Sequence, residues 1–214
     1  FKINVPSGAK ISFEQFNIPG KPSVAKSGGN TSYTWTLTDL PAALREDFRP
    51  REQQNRPGIV FLAMNKSTDV LALFADQEAF KCEITPEPKT KAAEAVAGIA
   101  NPLVKALKLQ ELVANEMNTW RIPLKNTAYA LRPIHLIWQS NGGTEAEKAV
   151  LLTAMLRSQN IQAEPVAVIS ERYYSEKTFS PELIERFLVK VSLQGMDPVF
   201  LSPTQSDQQD VKYS

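Results

Sequence analysis

The sequence predicts an α+β chain, and three stretches carry that reading. Short strands with alternating apolar residues occupy the first third, residues 141–168 read as a tight turn, a capped helix and a buried strand, and residues 187–201 read as a strand, a turn and a returning strand. The expected order is an N-terminal antiparallel β region, residues 1–86, followed by a domain of helices packed on a small antiparallel sheet, residues 87–214.

In the first region Phe1, Ile3 and Val5 alternate, Pro6-Ser7-Gly8 turns, and Ile11 and Phe13 share a face. Residues 19–30 are rich in Gly, Pro, Ser and Lys and read as a loop. Tyr33, Trp35 and Leu37 then point inward, with Ser32, Thr34 and Thr36 outward, and residues 57–62 supply another strand. Phe80, Cys82 and Ile84 alternate as a strand would. Thr85-Pro86-Glu87-Pro88-Lys89 reads as a linker, because two prolines within three residues bar a continuous helix through the join. Helical segments follow, interrupted near Asn101-Pro102. Residues 109–120 form a further helix in which Leu112, Val113, Glu116 and Trp120 recur at helical intervals, a core stripe and not a cofactor box.

Residues 141–168, NGGTEAEKAVLLTAMLRSQNIQAEPVAV, are the most informative. Thr144 and Glu147 have the spacing of a capping box, in which hydroxyl and carboxylate each satisfy an orphan backbone N–H. Ala149, Leu152, Met155 and Leu156 lie on a buried face, and Asn160 suits the left-handed residue that ends the helix. An apolar strand follows from Ile161. Later, FLVKVSL places Phe187, Val189, Val191 and Leu193 on one face, and residues 194–198 turn the chain into Val199-Phe200-Leu201.

The Gly-Gly turn, capped helix and buried strand resemble the core of the transglutaminase-like superfamily, a papain-like arrangement. The resemblance implies a nucleophilic Cys after Gly and a small polar residue, a His opening the next strand, and an Asp in a Leu-Asp-Pro-Thr stretch. Gly143 and Thr144 match the first two places, and Glu147-Lys148-Ala149 with Met155-Leu156-Arg157 continue the match. Glu145 stands where the Cys belongs, Arg186 where the His belongs, and Ser202 where the Asp belongs. A carboxylate at a helix N-terminus is a stabilised anion and a poor acyl acceptor, so Glu145 reads as a structural first-turn acid. Arg stays protonated and cannot serve as a base, and Ser cannot hold an imidazolium electrostatically. The resemblance therefore implies a degenerate, non-catalytic domain with no catalytic residue. The pieces Val5-Pro6, Tyr33-Thr34-Trp35, Leu40-Pro41-Ala42 and Pro57-Gly58-Ile59 also resemble the end of a β-sandwich domain found before such domains in bacterial exported proteins.

Composition is that of an ordinary globular chain: 214 residues, 43% hydrophobic, net charge +1. No basic tract interleaved with aromatics points to nucleic acid, and no apolar run reaches membrane-spanning length. Residues 1–5 open directly as a strand, so the chain reads as a mature or trimmed one. A single Cys, Cys82, excludes an internal disulfide and reads as a buried inert thiol. A single His, His135, cannot assemble a His-based metal site, and a Cys82–His135 dyad is the least favoured arrangement. Neither metal nor cofactor is expected.

The function expected is a binding or structural module of the bacterial cell envelope, a periplasmic setting that only the resemblance implies. An envelope protein or glycan is the expected partner, and Trp138 with Tyr173 and Tyr174 would form the rim of an inherited cleft. The alternatives are an enzyme of peptidase or acyl transferase type whose active groups lie elsewhere or in missing parts of a longer protein, and a structural spacer.

Overall fold

The computed structural model describes residues 1–39, 57–62, 72, 74–169 and 179–206. The chain is α+β and divides into two compact units, Phe1–Leu71 with Ser170–Leu183, and Ala72–Ile169 with Ile184–Ser214.

The first unit contains β1 (Lys2–Pro6), β2 (Ser12–Phe16), β3 (Ser23–Ser27), β4 (Asn30–Thr34) and β5 (Gly58–Leu62). They form an antiparallel sheet of order β1-β4-β3 and an antiparallel pair β2-β5. Phe13 of β2 meets the Trp35 ring edge-on at 5.2 Å and Tyr33 at 5.9 Å. Trp35 is buried, and its indole N–H donates to Gln15 Oε1 at 2.9 Å, as a buried tryptophan requires. The expected loop over residues 19–30 is instead a hairpin. Ser27 pairs with Asn30 across Gly28-Gly29, both at positive φ, so these two residues make the two-residue turn that suits strand twist. Strand β3 escaped the alternation test because all five of its residues are exposed.

The second unit contains a short helical turn α1 (Glu78–Lys81), α2 (Pro86–Ala95), α3 (Pro102–Glu116), β6 (Asn118–Thr119), α4 (Ile134–Gln139), β7 (Gly142–Gly143), α5 (Glu145–Ser158), β8 (Gln162–Ile169), β9 (Ile184–Ser192) and β10 (Val199–Leu201). The antiparallel sheet has order β10-β9-β8. Helix α5 is the centre: every residue from Ala146 to Leu156 is buried, with α2, α3 and α4 around it and β8 and β9 against it. A helix buried on all sides lies inside a core, and these are its neighbours, with its buried Glu147, Lys148 and Thr153 each hydrogen-bonded. Pro165 is tolerated in β8 because, among the described residues, that strand pairs only with β9 and needs no second ladder.

Three local expectations are corrected. Residues 80–84 are not a strand: Lys81 ends α1 and Cys82 takes a left-handed conformation, φ 55°. A short apolar alternation does not separate strand from helix turn. Residues 85–89 are not a linker, because Pro86 opens α2 at a first-turn position where its missing N–H has no intrahelical use. Trp120 is not helical: α3 stops at Glu116 and Met117 turns extended, so the chain runs into β6. The segment from Ala72 belongs to the second unit, whose core includes Phe74, Ala79 and Cys82.

Candidate functional site

The site is built around the N-terminus of α5. Strands β6 and β7 pair in parallel, Asn118 opposite Gly142 and Thr119 opposite Gly143, and Trp120 N–H donates to Gly143 O at 2.8 Å. The two glycines are there for space. A Cβ on Gly142 would lie 2.7 Å from Asn118 O, and one on Gly143 would lie 2.8 Å from Glu147 Oε2. Next comes the capping box: Glu147 N–H donates to Thr144 Oγ1 at 3.3 Å, and Thr144 N–H donates to Glu147 Oε2 at 2.8 Å.

Arg132 grips the same carboxylate. Its Nε donates to Glu147 Oε1 at 2.7 Å and its Nη2 to Oε2 at 2.9 Å, a bidentate fork. Nη2 also donates to Gly142 O at 2.8 Å and Nη1 to Ser140 Oγ at 2.9 Å, while the guanidinium sits 4.2 Å from the Trp120 ring centre. Burial pushes the Glu147 carboxyl up, but the Arg132 fork and the two backbone N–H donors outweigh it and hold the group below its usual range.

Glu145 is the first residue of α5. Its Oε2 accepts from Phe187 N–H of β9 at 3.0 Å, joining helix terminus to strand start across 42 residues of chain. Burial raises its pKa, opposed by that N–H and by the charge of Arg186. Arg186 is therefore close enough for its charge to act on Glu145, yet the two form no ion pair and Arg186 is exposed. Ser202 follows Leu201, which pairs with Val189, so it lies at the same end of the sheet as Arg186. Its polar contacts run elsewhere: Oγ accepts from Thr204 N–H at 3.4 Å, and its carbonyl accepts from Gln110 Nε2 at 3.1 Å. A helix terminus, a strand start and a strand end thus hold a carboxylate, a guanidinium and a hydroxyl.

Cys82 is buried and donates to Phe80 O at 3.4 Å, with its thiol pushed up to about 11 by burial despite the charge of Arg157. Such a thiol is neither ionised nor accessible at neutral pH. His135 is exposed on α4. Trp138 is half-buried on α4 and packs on the core, and Tyr173 and Tyr174 lie outside the described residues. Among the described residues no group of three or more His, Cys, Asp or Glu could hold a metal, and no helix is long and apolar enough to cross a membrane.

Reading the sequence missed Arg132, Trp120, Gln110 and Lys148. The one local signal was Gly142-Gly143, since adjacent glycines outside a left-handed turn imply close approach of another backbone. Nothing local names Asn118 and Trp120 as what approaches.

No protein-family model matches the chain, and no curated protein matches it. Among solved structures, the chain resembles a proposed protease from Parabacteroides distasonis, with TM-score 0.81 and 27% identity over 94% of this chain and 39% of the neighbour. It also aligns with a proposed cysteine protease from Cytophaga hutchinsonii, with TM-score 0.46 and 10% identity over 99% of this chain and 67% of that one. The chain thus spans about two fifths of its first neighbour's length, with the same α+β fold.

Proposed function

We propose that the second unit is a degenerate transglutaminase-like domain that performs no acyl transfer at the meeting of α5 and β9. It serves as a binding or structural module of the bacterial cell envelope, with a protein or glycan as ligand and the first unit as the end of a preceding β-sandwich domain. One observation carries the reading: Glu145, in the nucleophile's place, spends its carboxylate on the Phe187 N–H. Its partners among the described residues are the Phe187 N–H and the charge of Arg186, while Cys82 bonds to Phe80 O and His135 is exposed on α4.

The test compares the wild-type chain with a Glu145→Cys, Arg186→His, Ser202→Asp variant. Wild type should show no peptidase, deamidase or transamidase turnover and should react slowly with iodoacetamide through Cys82. The variant should gain one fast-reacting thiol, because a helix N-terminus and an adjacent imidazole both favour thiolate. Wild-type turnover lost on Cys82→Ser would overturn the reading. The ligand is sought by pull-down from an envelope extract, with a Tyr173→Ala, Tyr174→Ala variant and a Trp138→Ala variant as controls for the proposed rim.

A second reading, an enzyme whose active groups lie outside this chain, is favoured by the neighbour of which this chain spans 39%. Activity of a longer protein that survives Glu145→Ala would support it.

A further inference from the structure

Lys148, one turn into α5, is completely buried, yet among the described residues no carboxylate pairs with it. Its ammonium instead donates to three oxygens: Ala114 O at 3.2 Å, Met117 O at 2.9 Å and Thr119 Oγ1 at 2.9 Å. Three donors meet three acceptors, so the cation's hydrogen-bonding capacity is filled. One of those acceptors, Ala114 O, is a carbonyl in the last turn of α3, where aligned peptide dipoles place partial negative charge, and Met117 O follows just past the helix end. Helix α3 has no basic residue in its last turn, and Met117 leaves it extended, without a left-handed cap. Lys148 supplies from another helix the cap that α3 lacks.

Its reach ends at β6, which Trp120 follows. The Trp120 N–H is fixed to Gly143 O, its ring lies against Arg132, and its indole nitrogen is about as close to Gly142 as a Cβ would permit. We propose that Lys148 is a positioning residue whose ammonium fills a three-oxygen, primary-ammonium site, and that occupancy of this site holds β6 and Trp120 against the N-terminus of α5. Burial draws the Lys148 pKa down to about 8, so the cation is still the major form at neutral pH. The inference does not depend on whether the neighbouring site is catalytic, and its failure would leave that question untouched.

The experiment is chemical rescue. Lys148→Ala removes three methylenes and the nitrogen, which is the outline of propylammonium. The variant should lose roughly 10 °C in Tm, and its Trp120 indole N–H resonance, assigned through Trp120→Phe, should move. Propylammonium should restore both saturably. Tetramethylammonium at equal ionic strength, having no N–H, should restore neither. An equal response to both cations, or Tm recovery with Trp120 unmoved, would overturn the proposal. Should the variant not fold, lysine ammonium NMR on wild type decides: one slowly exchanging ammonium signal at neutral pH, close to the Thr119 methyl, is expected. If no protected ammonium is seen, the proposal fails.

Discussion

The two flanks of the α5 N-terminus carry similar chemistry and opposite energetics. On one flank Glu147 is enclosed by Arg132, Thr144 and the two glycines, and every carboxylate oxygen is bonded. On the other, two residues earlier, Glu145 meets β9 through one backbone N–H and the charge of Arg186, with no ion pair between them. Burial penalises both, but only on the Glu147 flank do partners outweigh it, so the two pKa values move in opposite directions. What decides a carboxylate's state is how completely the fold partners it, more than how deeply it lies.

The largest effect that breaks this comparison should come from Arg132. Arg132→Ala leaves a buried carboxylate without its fork and should cost about 3–5 kcal/mol in urea denaturation. A loss below about 1 kcal/mol would mean that the backbone N–H groups of Thr144 and residue 132 satisfy Glu147 without the guanidinium. Gly143→Ala should come next, at about 1–3 kcal/mol, because the added methyl must displace Glu147 Oε2.

The pH dependence separates the flanks further. Glu147 has a folded pKa below the ordinary value, so its contribution is present above about 4.5 and fades as pH falls through the folded value. Glu147→Gln should destabilise at pH 7, by about 1.5–3 kcal/mol for lost charged hydrogen bonds, with the deficit closing on acidification. Glu145 has a raised folded pKa, so its ionised form burdens the folded state above that value and the burden disappears below 4.5. Glu145→Gln, which still accepts from Phe187 N–H, should therefore stabilise slightly at pH 7 and be neutral at pH 3. Two Gln variants with parallel pH profiles would erase the distinction.

The pH dependence that Lys148 contributes is smallest near neutrality and grows in alkali. Below pH 8 both folded and unfolded states are charged and the folded one bears the full burial penalty. Between about 8 and the ordinary 10.5 the folded form loses its proton first, so stability due to this residue rises with pH. Urea midpoints at pH 8 and pH 10 should show wild type gaining on Lys148→Met. An unchanged difference would instead place the folded pKa near the ordinary 10.5, and a wild type that loses ground as pH rises would place it above that value.

Much of the second unit was legible because its information is local. Thr144 and Glu147 are three residues apart, so their capping box appears in the string, and Asn160 takes the left-handed conformation, φ 58°, at the predicted place. The β9–β10 hairpin likewise follows from period-two alternation around a turn. In the first unit β1, β2 and β5 were legible for the same reason, and β3 was not, since a strand exposed on both faces has no apolar rhythm.

The sequence by itself determined that α5 is a helix with a buried face, that its first turn carries Glu145 and Glu147, and that the chain holds one Cys and one His; that α5 is buried on every side was decided by packing. Only tertiary structure decided what those groups touch. Arg132 finds Glu147 across 15 residues, Phe187 finds Glu145 across 42, and Lys148 finds the end of α3 across more than 30. Such partners come from packing elements whose separation along the chain leaves no periodic trace, and a lysine reads as a surface residue until the carbonyls that enclose it are in place.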